Sequence, residues 1–269
     1  MTPPAVTAGT AMKPAIVVTG AASGIGREIA RISARDGSFL LLVDRACRAL
    51  TDLVDELTKS GASAAALCLD LLDRDAVEKV EDALCARHLY CDVLVNSAGF
   101  GLFGPAAEVS ARDQLELLDV NVRALTSLTL RFLGGMVSRG RGGVLNVGSI
   151  TGYLPGPNMA AYYASKAYVN SLSAALAAEV AGTGVTVTCL APGVVRTPFF
   201  ERCRVGETLI MKFMPRSDAV NTAAAGWRGF KAGRRLVIPR LIDRFAVWLF
   251  RLLPASLMTS LVSALQRAR

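Results

Sequence analysis

The stretch "AIVVTGAASGIGREIA" (residues 15–30) joins a strand-like segment to a helix-like one through a glycine-rich turn. Its apolar first third is typical of a buried strand, and the turn leads directly into the helix-like part. Glycine lets the backbone bend sharply and approach a pyrophosphate, while a helix N-terminus offers free N–H groups and a partial positive charge. This placement predicts a dinucleotide-binding turn formed by Gly20, Ser23, Gly24, Ile25 and Gly26.

The same alternation of strand and helix continues along the chain. Apolar segments of strand length cover residues 15–19, 39–44, 64–70, 92–96, 143–149, 185–192 and 235–239. Longer helix-like segments lie between them, at residues 24–37, 46–60, 73–88, 113–138, 160–181 and 217–231. The strands are apolar throughout, which is typical of a parallel sheet covered on both faces. We therefore predict an α/β fold with a Rossmann-like, doubly wound parallel sheet of about seven strands and helices on both faces.

The pattern predicts one catalytic domain over residues 13–239. Residues 1–12 carry no charged side chain and lack the basic start and apolar region of a signal peptide, so we expect a flexible N-terminal extension. No run of 18 charge-free apolar residues occurs, which argues against a transmembrane helix of the usual kind. Residues 240–269 are predicted to form an amphipathic helical C-terminal tail.

The cysteines and the single histidine bear on metal and redox chemistry. No C-x-x-C pair or zinc-type spacing occurs among Cys47, Cys68, Cys85, Cys91, Cys189 and Cys203. We therefore expect that the protein has no metal site and that these cysteines are free thiols in a cytoplasmic protein. Cys68 and Cys189 lie in apolar runs that are typical of buried strands. His88, at the end of a helix-like segment, fits a structural or capping role, which argues against a Ser-His-Asp triad.

Charged residues that follow the second and third strands bear on the choice of cofactor. Asp44 ends the second strand, 18 residues beyond Gly26, where a carboxylate can accept hydrogen bonds from the adenosine ribose. The same carboxylate would repel a 2′-phosphate, whereas Arg45 would favour one. We expect NAD(H) to be favoured over NADP(H), with Asp70 facing the adenine. Asp44 can also cap the helix at 46–60.

The segment "AYYASK" (161–166) contains a tyrosine and a lysine four residues apart. Positions i and i+4 share one face of a helix, so Tyr162 and Lys166 lie together while Tyr163 points elsewhere. A free tyrosine has a pKa of about 10, and a nearby cation lowers that pKa. The spacing favours chemistry at Tyr162 and packing at Tyr163.

These motifs, taken in order, resemble the short-chain dehydrogenase/reductase family. The resemblance covers about residues 13–239 and rests on "TGAASGIG" (19–26), "NSAG" (96–99), "NV" at 121–122, "Y-x-x-x-K" at 162–166 and "PGVVRT" (192–197). Ser149 lies 13 residues before Tyr162, as the family pattern requires. The stretch "NSAGFGLFGP" also resembles the DltE-like reductase branch. Ser97 departs from the family pattern, which often has a second asparagine there.

The resemblance implies a role for each matched residue. Tyr162 would be the general acid or base, Lys166 would lower the tyrosine pKa and bind the nicotinamide ribose, and Ser149 would hold the substrate oxygen. Asn121 would hold a water that links Lys166 to solvent. Further cofactor contacts would come from Asn96, Ala98, Gly99, Pro192, Gly193 and Thr197. The implied activity is ketone/aldehyde–alcohol interconversion with NAD(P), and a non-catalytic dinucleotide sensor or scaffold of the same fold is the alternative.

Two segments outside the repeating pattern, 150–160 and 197–215, flank the catalytic residues. Ligands of open α/β sheets bind beyond the carboxyl ends of the strands, so these segments are expected to form the substrate wall. The wall is predicted to be apolar and to include Tyr153, Leu154, Met159, Phe199, Phe200, Met211, Phe213 and Met214. An apolar ketone or alcohol is the expected substrate, such as a steroid-like, lipid-derived or aryl carbonyl.

The basic excess of the chain lies in its last quarter. Residues 196–269 hold 14 Lys/Arg and 4 Asp/Glu, a net of +10, against −2 for residues 1–195. The tail combines arginines with a wide apolar arc around Trp248, which suits peripheral contact with the inner face of a membrane. Two alternatives stay open: the tail packs on its own domain, or it is buried in a subunit interface. The family resemblance implies a homodimer or homotetramer. No recognition motif accompanies the charge, so no nucleic-acid partner is expected.

Overall fold

Seven parallel strands form the main sheet of the computed structural model, which describes residues 12–199, 203 and 216–266. The strands of the described residues are β1 (Lys13–Thr19), β2 (Phe39–Asp44), β3 (Ala64–Cys68), β4 (Leu89–Asn96), β5 (Gly143–Val147), β6 (Thr186–Leu190), β7 (Val195–Arg196), β8 (Ser217–Asp218) and β9 (Leu236–Val237). The order in the main sheet is β3-β2-β1-β4-β5-β6-β9, and β7 pairs with β8 separately. The predicted Rossmann-like α/β fold is confirmed.

Helices connect the strands and cover both faces of the sheet. They are α1 (Gly24–Ser33), α2 (Cys47–Lys59), α3 (Ala76–Cys85), α4 (Ala111–Leu118), α5 (Leu125–Arg139), α6 (Ala160–Glu179), α7 (Ala219–Lys231), α8 (Leu241–Leu252) and α9 (Ala255–Gln266). The single helix predicted over 113–138 is wrong in detail, because a π-helical segment, Asp119–Ala124, separates α4 from α5. Such segments occur often at functional sites, and this one contains Asn121.

Alternate residues of the central strands face different helix layers. On β1 and β2, Val17 and Leu41 pack with buried residues of α3, α5 and α6. Their neighbours Val18 and Leu42 pack on the opposite face with residues of α1, α2 and α7. Side chains of a strand alternate between its faces, so a strand between two helix layers must be apolar at every position.

The chain reverses its direction of winding between β1 and β4. These strands are neighbours, with Thr19 in register with Asn96, although β2 and β3 lie on the other side of β1. Thr19 Oγ1 accepts hydrogen bonds from the backbone N–H groups of Ser97 and Ala98, at 3.2 and 3.3 Å. The two loops that leave β1 and β4 therefore frame a crevice at a topological switch point, where α/β sheets bind ligands.

Two of the six cysteines are not free thiols. Cys47, at the start of α2, and Cys68, at the end of β3, are joined by a disulfide. The prediction of free thiols is therefore wrong for this pair, as is the prediction that Cys68 is buried. Strand β3 is an edge strand, so its last residue is exposed, and the pairing of Asp44 with Cys68 brings it beside the loop that leads into α2.

A core substitution tests the sheet assignment. Leu41 is fully buried in β2, so Leu41→Ala should lower the free energy of unfolding by about 2–5 kcal/mol in a urea titration. Leu115→Ala is the matched control, since Leu115 is 62% exposed and should change stability by less than about 0.5 kcal/mol. Equal effects of the two variants would contradict the burial pattern.

Candidate active site

The turn after β1 leaves no room for a side chain at Gly20 or Gly26. Gly20 and Gly24 have φ angles of +66° and +56°, in the left-handed region that favours glycine. A Cβ built on Gly20 would lie 2.7 Å from the Cα of Ala98, and one on Gly26 would overlap the carbonyl oxygen of Gly20. Ser23 precedes α1 in an extended conformation, and its side chain makes no capping hydrogen bond. The first N–H groups of α1 therefore suit the pyrophosphate of a dinucleotide.

Two carboxylates lie at the adenosine end of the crevice. Asp44 accepts hydrogen bonds from the backbone N–H of Ala22 at 3.0 Å and of Ala46 at 2.9 Å. Because Ala46 is itself the N-cap residue of α2, Asp44 orders the loop before that helix and does not cap its first turn. The exposed Arg45 forms an ion pair with Asp70 at 3.5 Å. Both acids and Arg45 line the crevice.

Ser149 follows β5 and is held by neighbours on three elements. Its Oγ accepts hydrogen bonds from Thr151, at 2.8 Å from Oγ1 and 3.1 Å from the backbone N–H, and donates to the carbonyl of Pro192 at 3.4 Å. Asn170 of α6 donates to the Ser149 carbonyl at 2.9 Å and accepts from the Ser149 N–H at 3.4 Å. The sequence reasoning missed both Thr151 and Asn170. Asn170 continues the four-residue spacing of Tyr162 and Lys166, which is the signal that identifies it.

The electrostatics of Tyr162 and Lys166 differ from the expectation. Burial raises the pKa of the Tyr162 hydroxyl, and hydrogen bonds with Ser149 and Thr151 only partly oppose this rise. Burial also lowers the pKa of Lys166 to about 8. The net effect of the surroundings on the Tyr162 pKa is therefore a rise, and the lowering by Lys166 stays a prediction. Lys166 Nζ donates to the Val147 carbonyl at 2.8 Å and lies 5.9 Å from the tyrosine ring centroid.

Asn121 connects the loop after β4 to α6. Its side chain makes two hydrogen bonds with the backbone of Phe100, at 2.9 and 3.0 Å, and donates to Ser165 Oγ at 3.1 Å. A Cβ built on Gly99 would lie 3.0 Å from Asn121 Oδ1 and 3.7 Å from Lys166 Nζ. Gly99 therefore keeps the space between these two side chains open. The water relay through Asn121 stays a prediction.

Asn96 lies beneath the crevice and not on its surface. It is buried, and its Nδ2 donates to Asn146 Oδ1 at 2.9 Å and to Thr129 Oγ1 at 3.0 Å. Asn146 in turn donates to Ser173 Oγ at 3.0 Å. The Asn96 side chain thus belongs to a polar network that joins β4, β5, α5 and α6, and its contact with the cofactor stays a prediction. Strand-end position alone could not distinguish these roles.

The predicted substrate wall is only partly assembled around Tyr162. The Phe199 ring lies 5.3 Å from the Tyr162 ring, centroid to centroid. Tyr153 packs elsewhere, against a cluster that includes Ile150 and Val247. Leu154 and Met159 pack with Tyr163 and with Val262 of α9, and Tyr162 packs against the same cluster. Four wall residues lie outside the described residues: Phe200, Met211, Phe213 and Met214.

One cleft of about 310 Å³ joins the glycine-rich turn to Ser149, Tyr162 and Lys166. Its lining includes these residues of the predicted site: Gly20, Ser23, Gly24, Ile25, Asp44, Arg45, Asp70, Ala98, Gly99, Ser149, Tyr162, Lys166, Pro192, Gly193, Thr197 and Phe199. Gly26, Asn96 and Asn121 support the cleft from behind. Among the described residues, no group of three or more His, Cys, Asp or Glu side chains is placed to hold a metal ion.

Comparison with known proteins agrees with this arrangement. The model of the short chain dehydrogenase family matches residues 14–207. The chain is 37% identical over 190 residues to sulfoacetaldehyde reductase 2 of Chromohalobacter salexigens, covering 70% of this chain and 75% of that protein. The matches concern the family as a whole, so the DltE-like branch stays a prediction.

Solved structures show the same fold with either cofactor bound. A short-chain dehydrogenase from Sphingobium yanoikuyae in complex with NADPH has a TM-score of 0.78 at 29% identity, covering 95% of this chain and 98% of that one. A family member from Burkholderia phymatum in complex with NAD has a TM-score of 0.78 at 26% identity, covering 88% and 92%. The cofactor class is therefore NAD(P).

Asn170 gives a test of the site geometry. Asn170→Ala removes both side-chain hydrogen bonds to the Ser149 backbone. Because each lost buried hydrogen bond costs about 1–3 kcal/mol, we expect kcat to fall at least about tenfold. The Kd of the cofactor should stay within about twofold. Asn170→Asp retains an acceptor for the Ser149 N–H and should recover part of kcat. Ser171→Ala, at an exposed neighbour, is the control. Unchanged kcat in Asn170→Ala, with an intact melting curve, would contradict the positioning role.

Proposed function

This chain belongs to the short-chain dehydrogenase/reductase family and is an NAD(P)-dependent oxidoreductase, and from that premise we propose that it interconverts an apolar ketone or aldehyde and the corresponding alcohol. We propose further that NAD(H) is the favoured cofactor. The observation that carries the substrate proposal is the position of the Phe199 ring beside the Tyr162 ring. Steroid-like, lipid-derived and aryl carbonyls are the candidate classes.

The residues around Tyr162 fit acid–base work on a carbonyl oxygen. A bound nicotinamide supplies or accepts the hydride. In the reductive direction Tyr162 donates its proton to the carbonyl oxygen, and Ser149 Oγ holds that oxygen in place. The hydroxyl is protonated at neutral pH, as a free tyrosine is, and because burial raises its pKa, loss of that proton requires stabilisation of the tyrosinate.

Lys166 and Asn121 would return the proton that Tyr162 gives up. With a pKa of about 8, Lys166 is mostly cationic at neutral pH and can stabilise a transient tyrosinate. A water held by Asn121 would connect Lys166 to solvent, across the space that Gly99 leaves open. In oxidation the same residues act in reverse, with tyrosinate as the base.

The charges in the cleft favour an apolar substrate over an anionic one. Among the described residues that line the cleft, the cations are Arg45 and Lys166. Arg45 lies at the adenosine end and pairs with Asp70, and Lys166 donates one hydrogen bond to the Val147 carbonyl. A sulfonate of the kind named for the Chromohalobacter relative would find no other cationic partner among these described residues. Phe199 instead offers an aromatic face to an apolar group.

The adenosine end of the cleft supports NAD(H). Asp44 is fixed by two backbone N–H groups, and Asp70 lies nearby, so a 2′-phosphate would approach two carboxylates. Arg45 is the one described cation at this end, and its ion pair with Asp70 partly neutralises it. The net charge around the ribose position therefore repels a third negative group.

A substrate panel tests the proposed reaction. With NADH and NADPH run side by side, we expect kcat/KM for a bicyclic aryl ketone or a medium-chain alkanone to exceed that for sulfoacetaldehyde by about tenfold or more, equivalent to about 1.4 kcal/mol. Phe199→Ala should reduce this preference, whereas Leu115→Ala should not. A preference for the small anionic aldehyde would contradict the apolar assignment.

Substitution of Asp44 tests the cofactor preference. Asp44→Asn keeps one acceptor for the backbone but removes the charge, so we expect kcat/KM with NADPH to rise relative to NADH by about tenfold. Asp44→Ala should weaken NADH binding further because it also frees the Ala22 and Ala46 N–H groups. A wild-type preference for NADPH of about tenfold or more would overturn the proposal and give Arg45 the deciding role.

A further inference from the structure

The outer side of α8 is an exposed apolar surface. Leu241, Phe245, Trp248 and Leu252 recur at steps of four, three and four residues and so share one face of the helix. Leu241 is 77% exposed and Trp248 58%, and Ile242 and Leu249 extend the same surface. The Phe245 and Trp248 rings lie 5.9 Å apart and pack on each other rather than in the core. These six residues are the α8 apolar face.

The opposite side of α8 is fixed to the catalytic loops. Val247 is buried with Ile150 and Ile238. The Asp243 carboxylate lies close against the Gly193 backbone, since a Cβ built on Gly193 would lie 2.7 Å from Asp243 Oδ2. These contacts set the rotation of the helix, so the α8 apolar face points away from the domain by construction.

The segment that carries the α8 apolar face is basic in sequence. Residues 240–269 contain five arginines and a single acid, Asp243, which is buried and forms an ion pair with Arg240 at 3.9 Å. Arg244 is exposed at the edge of the face, where its Nε donates to the Ile238 carbonyl at 2.9 Å. Helix α9 carries no charged residue. Among the described residues of α8 and α9, therefore, no outward-facing acid opposes the arginines.

We propose that the α8 apolar face docks on the surface of an anionic phospholipid membrane. An exposed apolar arc with a central tryptophan and flanking arginines is the composition of helices that lie in the membrane interface. None of the helices in the described part of the chain is long and apolar enough to cross a bilayer. A second copy of the chain would bring basic edges together without acidic partners, whereas anionic headgroups complement the arginines.

The docked orientation bears on the substrate, and this step rests on the proposed function. Helix α9 follows α8 directly, and its Val262 is buried against Met159 and Tyr163, with Leu154 and Tyr162 packed alongside. The two tail helices thus connect the α8 apolar face with the residues around the catalytic tyrosine. A membrane-bound enzyme would have its substrate side close to the lipid, which favours a lipid-derived carbonyl among the candidate classes.

Vesicle binding tests the docking surface on the full chain. We expect the protein to float with vesicles of phosphatidylcholine and phosphatidylglycerol and to bind pure phosphatidylcholine vesicles at least about tenfold more weakly, with binding reduced by salt. The chain has two tryptophans, and Trp227 is buried, so a blue shift of emission on binding reports on Trp248. Trp248→Phe should abolish that shift.

A matched pair of double variants distinguishes binding through the α8 apolar face from nonspecific hydrophobic binding to vesicles. Phe245→Ser with Trp248→Ser should weaken vesicle binding at least about tenfold, because it removes the centre of the apolar face. Leu115→Ser with Leu130→Ser, on α4 and α5, removes side chains that are 62% and 59% exposed and should leave binding unchanged. Cofactor binding by each variant checks that it is folded.

Two outcomes would overturn the docking proposal. One is a wild-type protein that stays soluble beside anionic vesicles at low salt, or a Phe245/Trp248 variant that binds like wild type. The other is a dimer in sedimentation that the same variant dissociates, without vesicle binding, because a second copy then covers the face. Turnover of a water-soluble apolar ketone is measured without vesicles. If the enzyme does not turn over such a ketone, the proposed substrate class is rejected, and the conclusion from vesicle binding is unaffected.

Discussion

The hydrogen bonds from α6 to the end of β5 hold the candidate active site together. Lys166 donates to the Val147 carbonyl, and Asn170 bonds both backbone groups of Ser149, so one face of α6 fixes the position of Ser149 after the strand. The Asn170 side chain leaves room only for glycine at positions 148 and 152. A Cβ on Gly148 would overlap Asn170 Oδ1, and one on Gly152 would lie 2.5 Å from Asn170 Nδ2. The positions of Ser149 and Tyr162 relative to each other follow from this packing.

Burial sets the electrostatics of Tyr162 and Lys166 in the same packing. The cation of Lys166 is turned toward a carbonyl, and the hydroxyl of Tyr162 lies in a partly apolar pocket beside Phe199. Desolvation therefore outweighs hydrogen bonding and raises the pKa of the tyrosine. A tyrosine is protonated at neutral pH with or without this rise, so in reduction the protein must stabilise the tyrosinate that forms when the proton is transferred.

Sequence patterns predicted the sheet and the closeness of Tyr162 and Lys166 because both have strong local signals. Apolar strands and helical spacing are read along the chain, and Tyr162 and Lys166 are one helical turn apart. The π-helical segment around Asn121, the Cys47–Cys68 disulfide and the inward position of Asn96 depend on how separate elements pack. Asn170 had the right spacing, but only the fold shows that it faces Ser149. The amphipathic pattern of the tail is visible in the sequence, whereas the rotation of helix α8 about its axis is set by the contacts of Asp243 and Val247 with the domain.

The central claim is that Tyr162 is the general acid, and paired tyrosine variants test it most directly. Tyr162→Phe removes the proton donor, so kcat should fall by about 10²–10⁴-fold, while the Kd of the cofactor, measured by fluorescence titration, changes by less than about threefold. Tyr163→Phe should keep most of its turnover, because Tyr163 is buried in the packing around Met159 and Val262. Loss of turnover in Tyr163→Phe with near-normal turnover in Tyr162→Phe would contradict the account.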